Sequence, residues 1–489
     1  MTLMDDNNQI KEENQPDTRP VFETVPVEET PADIATPELP AEAPTGDAPP
    51  PVYQENKNQF IFIAVGGVVF FIVLILIIRA IFSGGEKKQI NLTYWGLWED
   101  NQVMQPLIDQ YQQKNPNVKI TYQKMSPQSY RQKLVVRSKS GQGPDIFRFH
   151  NTWIPEIKEI MSQLPPEIMS TNEFEKTFYK VHQKDLKVGS HYYGLPLEVD
   201  GLVLIYNTNL LKKAGITGPP ATWDDITDMV PKLTVKNQQG QLITSGIAMG
   251  TAGNVEHFSD IFGLLLLQNG GGLDKLDQQE AAGALEIYRK FAEPPQGYWT
   301  DEMPNSINAF IQEKVAMIIA PSWEALAIKS ANPEIEMKVA PVPAVPGASA
   351  VSIASYWVEG VSRLSKNQIE AWKFLRYLTE KDNLTKLYEI ESRYRPFGEP
   401  YSRVDLAPLL AQNDYLGAVI KQANDFVSIP IISRTFDGDQ DSSGLNDELI
   451  TYIKNAINST IEGVSYSEAL KTAKEGVNQV FTKYNITIQ

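Results

Sequence analysis

The chain has 489 residues, with 44 Lys and Arg against 60 Asp and Glu, a formal net charge of −16 and no cysteine. Lack of cysteine excludes disulfides, thiolate metal sites, a cysteine nucleophile and anchoring through a lipid-modified N-terminal cysteine. The acidic balance offers no footprint for nucleic acid.

The first 59 residues hold 13 Asp and Glu against 3 Lys and Arg, together with 10 of the 33 prolines. Such a stretch cannot bury enough apolar surface to offset chain entropy, so 1–59 is expected to be a disordered tail. Phe60 to Ile78, FIFIAVGGVVFFIVLILII, is uncharged and mostly apolar. As a helix it rises about 28 Å, close to the roughly 30 Å of bilayer hydrocarbon. A signal peptide would begin near Met1 with a basic segment, whereas this run follows an acidic tail. Residues 60–82 therefore read as one uncleaved membrane span, with Arg79 able to snorkel and a short linker at 83–89. Only Lys57 flanks the span on one side, against Arg79, Lys87 and Lys88 on the other. That bias of two residues favours a cytoplasmic C-terminal domain, but large domains translocate regardless of charge. The expected topology is a cytoplasmic tail and an extracytoplasmic domain.

From Ile90 to Gln489 the chain is long enough for two lobes. INLTYWGL alternates as a strand, WEDNQVMQPLIDQYQQKNP carries helical spacing, and VKITYQKM alternates again. SYRQKLVVRSKSG reads as a helix leading into PDIFRFH, a short apolar strand. At the polar end of that strand stand Arg148, His150, Asn151 and Trp153, where ligands sit in open parallel sheets. YGLPLEVDGLVLIYNTNLLKKAGI gives a strand and a helix, and Thr222 or Asp224 can cap the helix in PPATWDDITDMVPKLT. FSDIFGLLLLQNGGG is an apolar helix closed by glycines, KVAMIIAPSW and 336–342 are strand candidates, and SIASYWVEGVS precedes a mostly helical remainder from Lys366. Alternating strands and helices predict an α/β fold with parallel strands.

These residues resemble the extracellular solute-binding proteins of ABC importers, in particular the group with maltose- and other sugar-binding proteins. The resemblance spans Ile90 to Gln489 and rests on INLTYWGLWED, GPDIFRFH, YGLPLEVDGLVLIYNTNLLKKAGI with PPATWDDI, AFIQEKVAMIIAPSW and EAWKFLRYLTEKDN, in that order. It implies a two-lobed fold of the type II periplasmic-binding-protein kind, with lobe 1 at 90–197 plus 355–392 and lobe 2 at 198–354 plus 393–489. The chain would cross near Leu197 to Leu204, Ser352 to Glu359 and Glu391 to Phe397. It also implies a monomer that needs no cofactor or metal and no nucleic acid, binds a carbohydrate and hands it to ABC permease subunits. The resemblance departs in its anchor, since the family is otherwise secreted or held by a lipidated cysteine.

A sugar site needs flat aromatic platforms and polar groups that engage paired hydroxyls. Trp323 and the cluster His150, Asn151 and Trp153 match family ligand positions. Asp200 matches an acidic ligand position, and Glu198 shares its face. Trp95, Trp98 and Glu99 follow the first strand and are candidates for the rim. Of Tyr356 and Trp357, alternation lets one face the cleft. Arg148 is offered a ligand hydroxyl or an internal carboxylate such as Asp145, and Arg393 and Arg395 are candidates for cleft donors with solvated surface charge as the default. DGDQDSSGLNDE, 437–448, imitates a calcium loop but puts its glycine at position 8 of 12 rather than 6, so helix capping is the simpler reading. No P-loop, HExxH or GxSxG is present, and the four histidines are scattered. The expectation is therefore a receptor rather than an enzyme, with a membrane-coupled sensor or a glycosidase as the alternatives.

Overall fold

The computed structural model describes residues 71–74, 88–347, 350–435 and 444–486. The expected tail and the expected span lie outside the described residues, except for residues 71–74, which are helical. Among the described residues no helix is long and apolar enough to cross a membrane.

From Ile90 onward two five-stranded sheets organise two lobes. In INLTYWG, Leu92 and Tyr94 are buried while Asn91 and Thr93 are exposed, so period-2 alternation sets one face of strand Ile90–Gly96 on the core. The helix Asn101–Lys114 buries Val103, Met104, Leu107, Ile108 and Tyr111 and returns the chain to strand Val118–Lys124. That strand lies parallel to the first with Ile90 opposite Val118. Strand Ile146–His150 is buried at every position and completes the parallel part of the sheet. Spatially the first sheet runs Val118–Lys124, Ile90–Gly96, Ile146–His150, Trp357–Val361, Leu195–Pro196.

The second sheet runs Met337–Ala340, Leu202–Asn207, Val315–Pro321, Leu242–Ile247, Val235–Lys236. Of the two expected caps, Thr222 is the one used before helix Trp223–Leu233. Its Oγ1 accepts the Asp225 N–H at 3.1 Å while the Asp225 carboxylate accepts the Thr222 N–H at 2.9 Å.

The expectation of parallel sheets holds only in part. Trp357–Val361 runs antiparallel to Ile146–His150, and Leu202–Asn207 runs antiparallel to both of its neighbours. The cause is the shared chain: a strand that enters a sheet from the other lobe arrives from the opposite end. Residues 197–201 leave the first lobe and 354–357 return to it. The two crossings are tied where the Ser355 N–H donates to the Asp200 carbonyl at 2.9 Å. At Gly201 a β-carbon would stand 2.1 Å from the Ile353 carbonyl oxygen, so only glycine permits this approach.

The third crossing departs from its expected place at 391–397. Val199 N–H donates to the Pro400 carbonyl at 2.9 Å, Glu198 bridges Tyr401, and Arg403 bridges Phe178, so the chain is still beside the first lobe at 403. The helices Leu445–Ile461 and Tyr466–Lys483 pack on Phe258–Gln268 and Gln279–Arg289 of the second lobe. Yet the start of Leu445–Ile461 is tied to the first lobe: Arg131 meets Asp447 at 2.8 Å and the Leu445 N–H donates to Glu156 at 2.9 Å. Most of the loop resembling a calcium site lies outside the described residues. Its described end is engaged otherwise, with Asp447 on Arg131 and Glu448 on Lys483 at 2.6 Å.

Candidate ligand site

Between the lobes lies a cavity of about 550 Å³, within the size range of small-molecule sites. Its wall draws on both lobes and on the crossings. Trp98 follows the first strand, Pro127 and Gln128 follow the second, and Trp323 and Glu324 follow Val315–Pro321. Trp357 and Glu198 come from the crossings, and Arg395, Glu399 and Arg434 from the C-terminal part. Trp98, Pro127, Gln128, Trp323 and Glu324 lie just beyond the carboxyl ends of their strands, where side chains converge on a ligand crevice, and Trp357 reaches the same edge from the amino end of an antiparallel strand. A larger hollow of about 1360 Å³ lies at the amino end of the first strand, beside Ile90, Pro165 and Gln368. Its walls come from the first lobe and the C-terminal end alone.

Three of the expected platforms meet in the cavity. Trp98 is 40 % exposed and stands edge-on to Trp357 at 5.3 Å between centroids. Trp357 rests on Trp153 at 5.3 Å and on His150 at 5.2 Å, both edge-on. Trp323 is half-buried in the opposite wall, 6.5 Å from the His257 ring. Trp357 is thus the cleft-facing member of its pair. Tyr356 is fully buried, with its hydroxyl donating to Asp185 at 2.8 Å.

The other eight expected contacts, Tyr356 included, do not line the cavity, and for most of them burial and internal partners are the reason. Arg148 is held between Glu99 at 2.5 Å and Glu359 at 2.6 Å, all three buried. Asp145, the carboxylate considered for Arg148, instead accepts the Thr93 N–H at 2.8 Å. Burial works against the Arg148 cation, but the two carboxylates outweigh it and push its pKa up. His150 shares hydrogen bonds with Thr152 at 2.8 Å and Ser355 at 3.1 Å. Burial lowers its pKa to about 3, so it is neutral. Asn151 donates to Asp185 at 3.0 Å and Ser428 at 2.8 Å. Trp153 is buried beneath Trp357 with the Arg131 guanidinium 5.2 Å from its ring. This cluster is the floor that fixes Trp357 rather than the surface a ligand meets. Trp95 is half-buried against the core and also lies outside the lining.

Asp200 is likewise turned inward. Its two oxygens accept the Gly201 N–H at 2.6 Å and the Ser322 hydroxyl at 2.8 Å, which ties the crossing to the second lobe. Burial raises its pKa to about 8. Glu198 on the same face takes the cavity position instead.

Glu324, Glu399, Arg395 and Arg434 complete the polar wall. Arg395 was weighed from the sequence as a cleft donor, Glu324 was legible in principle because it directly follows Trp323, and Glu399 and Arg434 carried no signal. His257 meets Glu324 at 3.1 Å and Ser433 at 2.7 Å. Burial opposes the His257 charge, yet the hydrogen bond to Glu324 and the nearby Asp260 outweigh it and raise the pKa, which favours a charged His257–Glu324 pair behind Trp323. Arg434 pairs with Glu256. Arg395, expected on the surface, meets Glu391 at 3.0 Å and Glu399 at 2.8 Å, whereas Arg393 is exposed as expected.

Flat rings on opposed walls among bidentate donors and acceptors suit a ligand that has apolar faces and a hydroxylated rim. The maltodextrin-binding protein of Bacillus subtilis (strain 168) is 24 % identical over 332 residues, 63 % of this chain and 72 % of that one. The maltotriose-binding protein of Pyrococcus abyssi (strain GE5 / Orsay) is 22 % identical over 307 residues, 60 % of this chain and 63 % of that one. The solved cyclic α-maltosyl-1,6-maltose binding protein of Arthrobacter globiformis shares the fold, with a TM-score of 0.66 at 18 % identity over 81 % of this chain and all of that one. The bacterial extracellular solute-binding protein model matches residues 95–384, more than half of the chain, and the chain therefore belongs to that family.

Proposed function

We propose that this protein is the binding receptor of an ABC importer that takes a sugar or oligosaccharide between its lobes and presents it to membrane permease subunits. The observation that carries this reading is the cavity bounded by Trp98 and Trp357 from one side and Trp323 from the other, among Glu198, Glu399 and Arg395. Opposed indole faces clasp the apolar faces of pyranose rings, and the carboxylates and guanidinium take hydroxyls. Closure of the lobes around the crossings then buries the ligand. The reading assigns the site no bond-breaking chemistry. The apolar run 60–78 is read as an anchor that keeps the receptor beside its permease, with the binding domain outside the cell. Isothermal titration of the full-length chain against neutral mono- and oligosaccharides tests the ligand class. Saturable one-to-one binding of at least one saccharide is expected. Failure of the whole panel, with tight binding of a peptide or polyamine, rejects it. Protease added to intact cells is expected to remove the domain and spare an epitope near residue 10; a protected domain reverses the topology.

A further inference from the structure

Behind the wall that carries Trp323, one buried imidazole joins two segments that are far apart in the chain; its role deepens the proposed function and rests on it for the ligand. His257 directly precedes helix Phe258–Gln268 and is buried, as are Glu324 and Ser433. Its Nε2 lies 3.1 Å from Glu324 Oε1, and its Nδ1 lies 2.7 Å from Ser433 Oγ. A carboxylate can only accept, so Nε2 is the donor to Glu324 whether the ring is neutral or charged, while the Ser433 hydroxyl can donate to Nδ1 or accept from it. The link to Glu324 therefore survives in both states of the ring.

Ser433 is a fixed reference for the ring. Its N–H donates to Asp260 Oδ2 at 2.9 Å, and the next residue, Arg434, pairs with Glu256. Arg434 also holds a φ of 60°, a left-handed conformation that a residue with a β-carbon keeps only where its surroundings hold it. Glu256, His257 and Asp260 thus grip one short segment from a single stretch of chain. On the other side of the ring, Glu324 opens helix Glu324–Ala331 directly after Trp323. The turn that presents Trp323 is closed by the Ala325 N–H on the Ser322 carbonyl at 3.1 Å and by the Leu326 N–H on the Trp323 carbonyl at 2.9 Å.

We infer that His257 is a positioning residue: Ser433 orients the ring, and the ring holds the Glu324 carboxylate and with it the turn that presents Trp323 to a saccharide. Glu324 and Trp323 line the cavity, and His257 stands behind them and acts on the ligand only through them. With Oε1 engaged by the imidazole, the carboxylate is set in place as an acceptor for a ligand hydroxyl before the ligand arrives. Released, it would have to be ordered at the moment of binding, and affinity would fall.

The test uses the full-length protein and two variants that each keep one of the ring's bonds. A glutamine amide nitrogen can take the place of Nε2 and an asparagine amide nitrogen that of Nδ1, so His257→Gln keeps the donor to Glu324 and His257→Asn keeps the contact with Ser433. Titration with maltotetraose and a panel of neutral oligosaccharides is expected to show affinity lowered about tenfold to thirtyfold in His257→Asn and only about twofold in His257→Gln. The unfolding midpoints of the two variants should lie close together, because each loses one bond of the same ring, so a merely structural role would not separate them. Adding Glu324→Gln to His257→Asn should cost far less affinity than Glu324→Gln alone. Without ligand, hydrogen exchange at Ala325 and Leu326 should quicken in His257→Asn and not in His257→Gln. Equal affinities in the two single variants, or additive losses in the double one, overturn the positioning role. If no neutral saccharide binds the wild type, the saccharide reading falls and the exchange contrast alone decides: its presence upholds the hold of His257 on the turn, and its absence overturns it.

Discussion

Replacing Trp323 by Ala separates a binding platform from a core residue. The side chain is half-buried in the cavity wall and meets the His257 ring edge-on at 6.5 Å. In the open protein one face of the indole is wet, so truncation loses little burial, and the cost to folding should be about 1 kcal/mol. On the proposed reading that face covers a sugar ring in the closed complex. Its burial and stacking together contribute on the order of 1 to 3 kcal/mol, or roughly tenfold to a hundredfold in affinity. Trp299, fully buried with its indole N–H donating to Asn254 at 2.9 Å, is the internal control. Its truncation should cost about 3 to 5 kcal/mol of stability, with affinity unaffected in whatever fraction remains folded. Thermal unfolding without ligand and titration with saccharide read both quantities. If Trp323→Ala behaves like Trp299→Ala, with a large stability loss and intact affinity, the ring belongs to the core and the site has been misplaced.

Arg148→Met should destabilise the first lobe by about 3 to 5 kcal/mol, because Glu99 and Glu359 are left buried together without their cation. Urea denaturation reads this, and a loss below about 1 kcal/mol contradicts it. Burial raises Glu391 to about 8. Its folded form therefore keeps a proton that the unfolded chain has released, and stability drains away as pH rises from the ordinary carboxylate range toward 8. Glu391→Gln should flatten the fall of the unfolding midpoint between pH 5 and pH 8; an unchanged slope places the proton elsewhere. Gly201→Ala forces a β-carbon against the Ile353 carbonyl and should separate the crossings. Weaker saccharide binding with both lobes still folded is expected, and wild-type affinity speaks against coupling between this contact and the cavity.

Much of the fold was legible because it is local. Alternation in INLTYWG and VKITYQK, the short strand IFRFH with its polar end, the continuous apolar run VAMIIAP, and the cap at Thr222 each declare an element within a few residues. The ordered motifs added the family, and with it two lobes. Trp98, Trp323 and Trp357 could be placed at the cavity because each closely follows or begins a strand, and chain position alone sets them at a strand end or a crossing.

What the sequence could not decide is which polar groups of the same neighbourhood turn outward. Arg148, His150 and Asn151 sit at a strand end as a ligand set would, yet partners far along the chain, Glu359, Ser355 and Ser428, draw them into the floor. Asp200 and Glu198 share a face, and only Ser322, more than a hundred residues away, settles that Asp200 is engaged in the hinge while Glu198 is left for the cavity. Glu399 and Arg434 reach the wall through segments with no distinguishing pattern. The sequence by itself determined the elements, their order and the lobed class, because helices, strands and caps are written in neighbours along the chain. Only the tertiary structure decided the site, because whether a buried polar group serves a ligand or an internal partner depends on which distant residue occupies its hydrogen bonds.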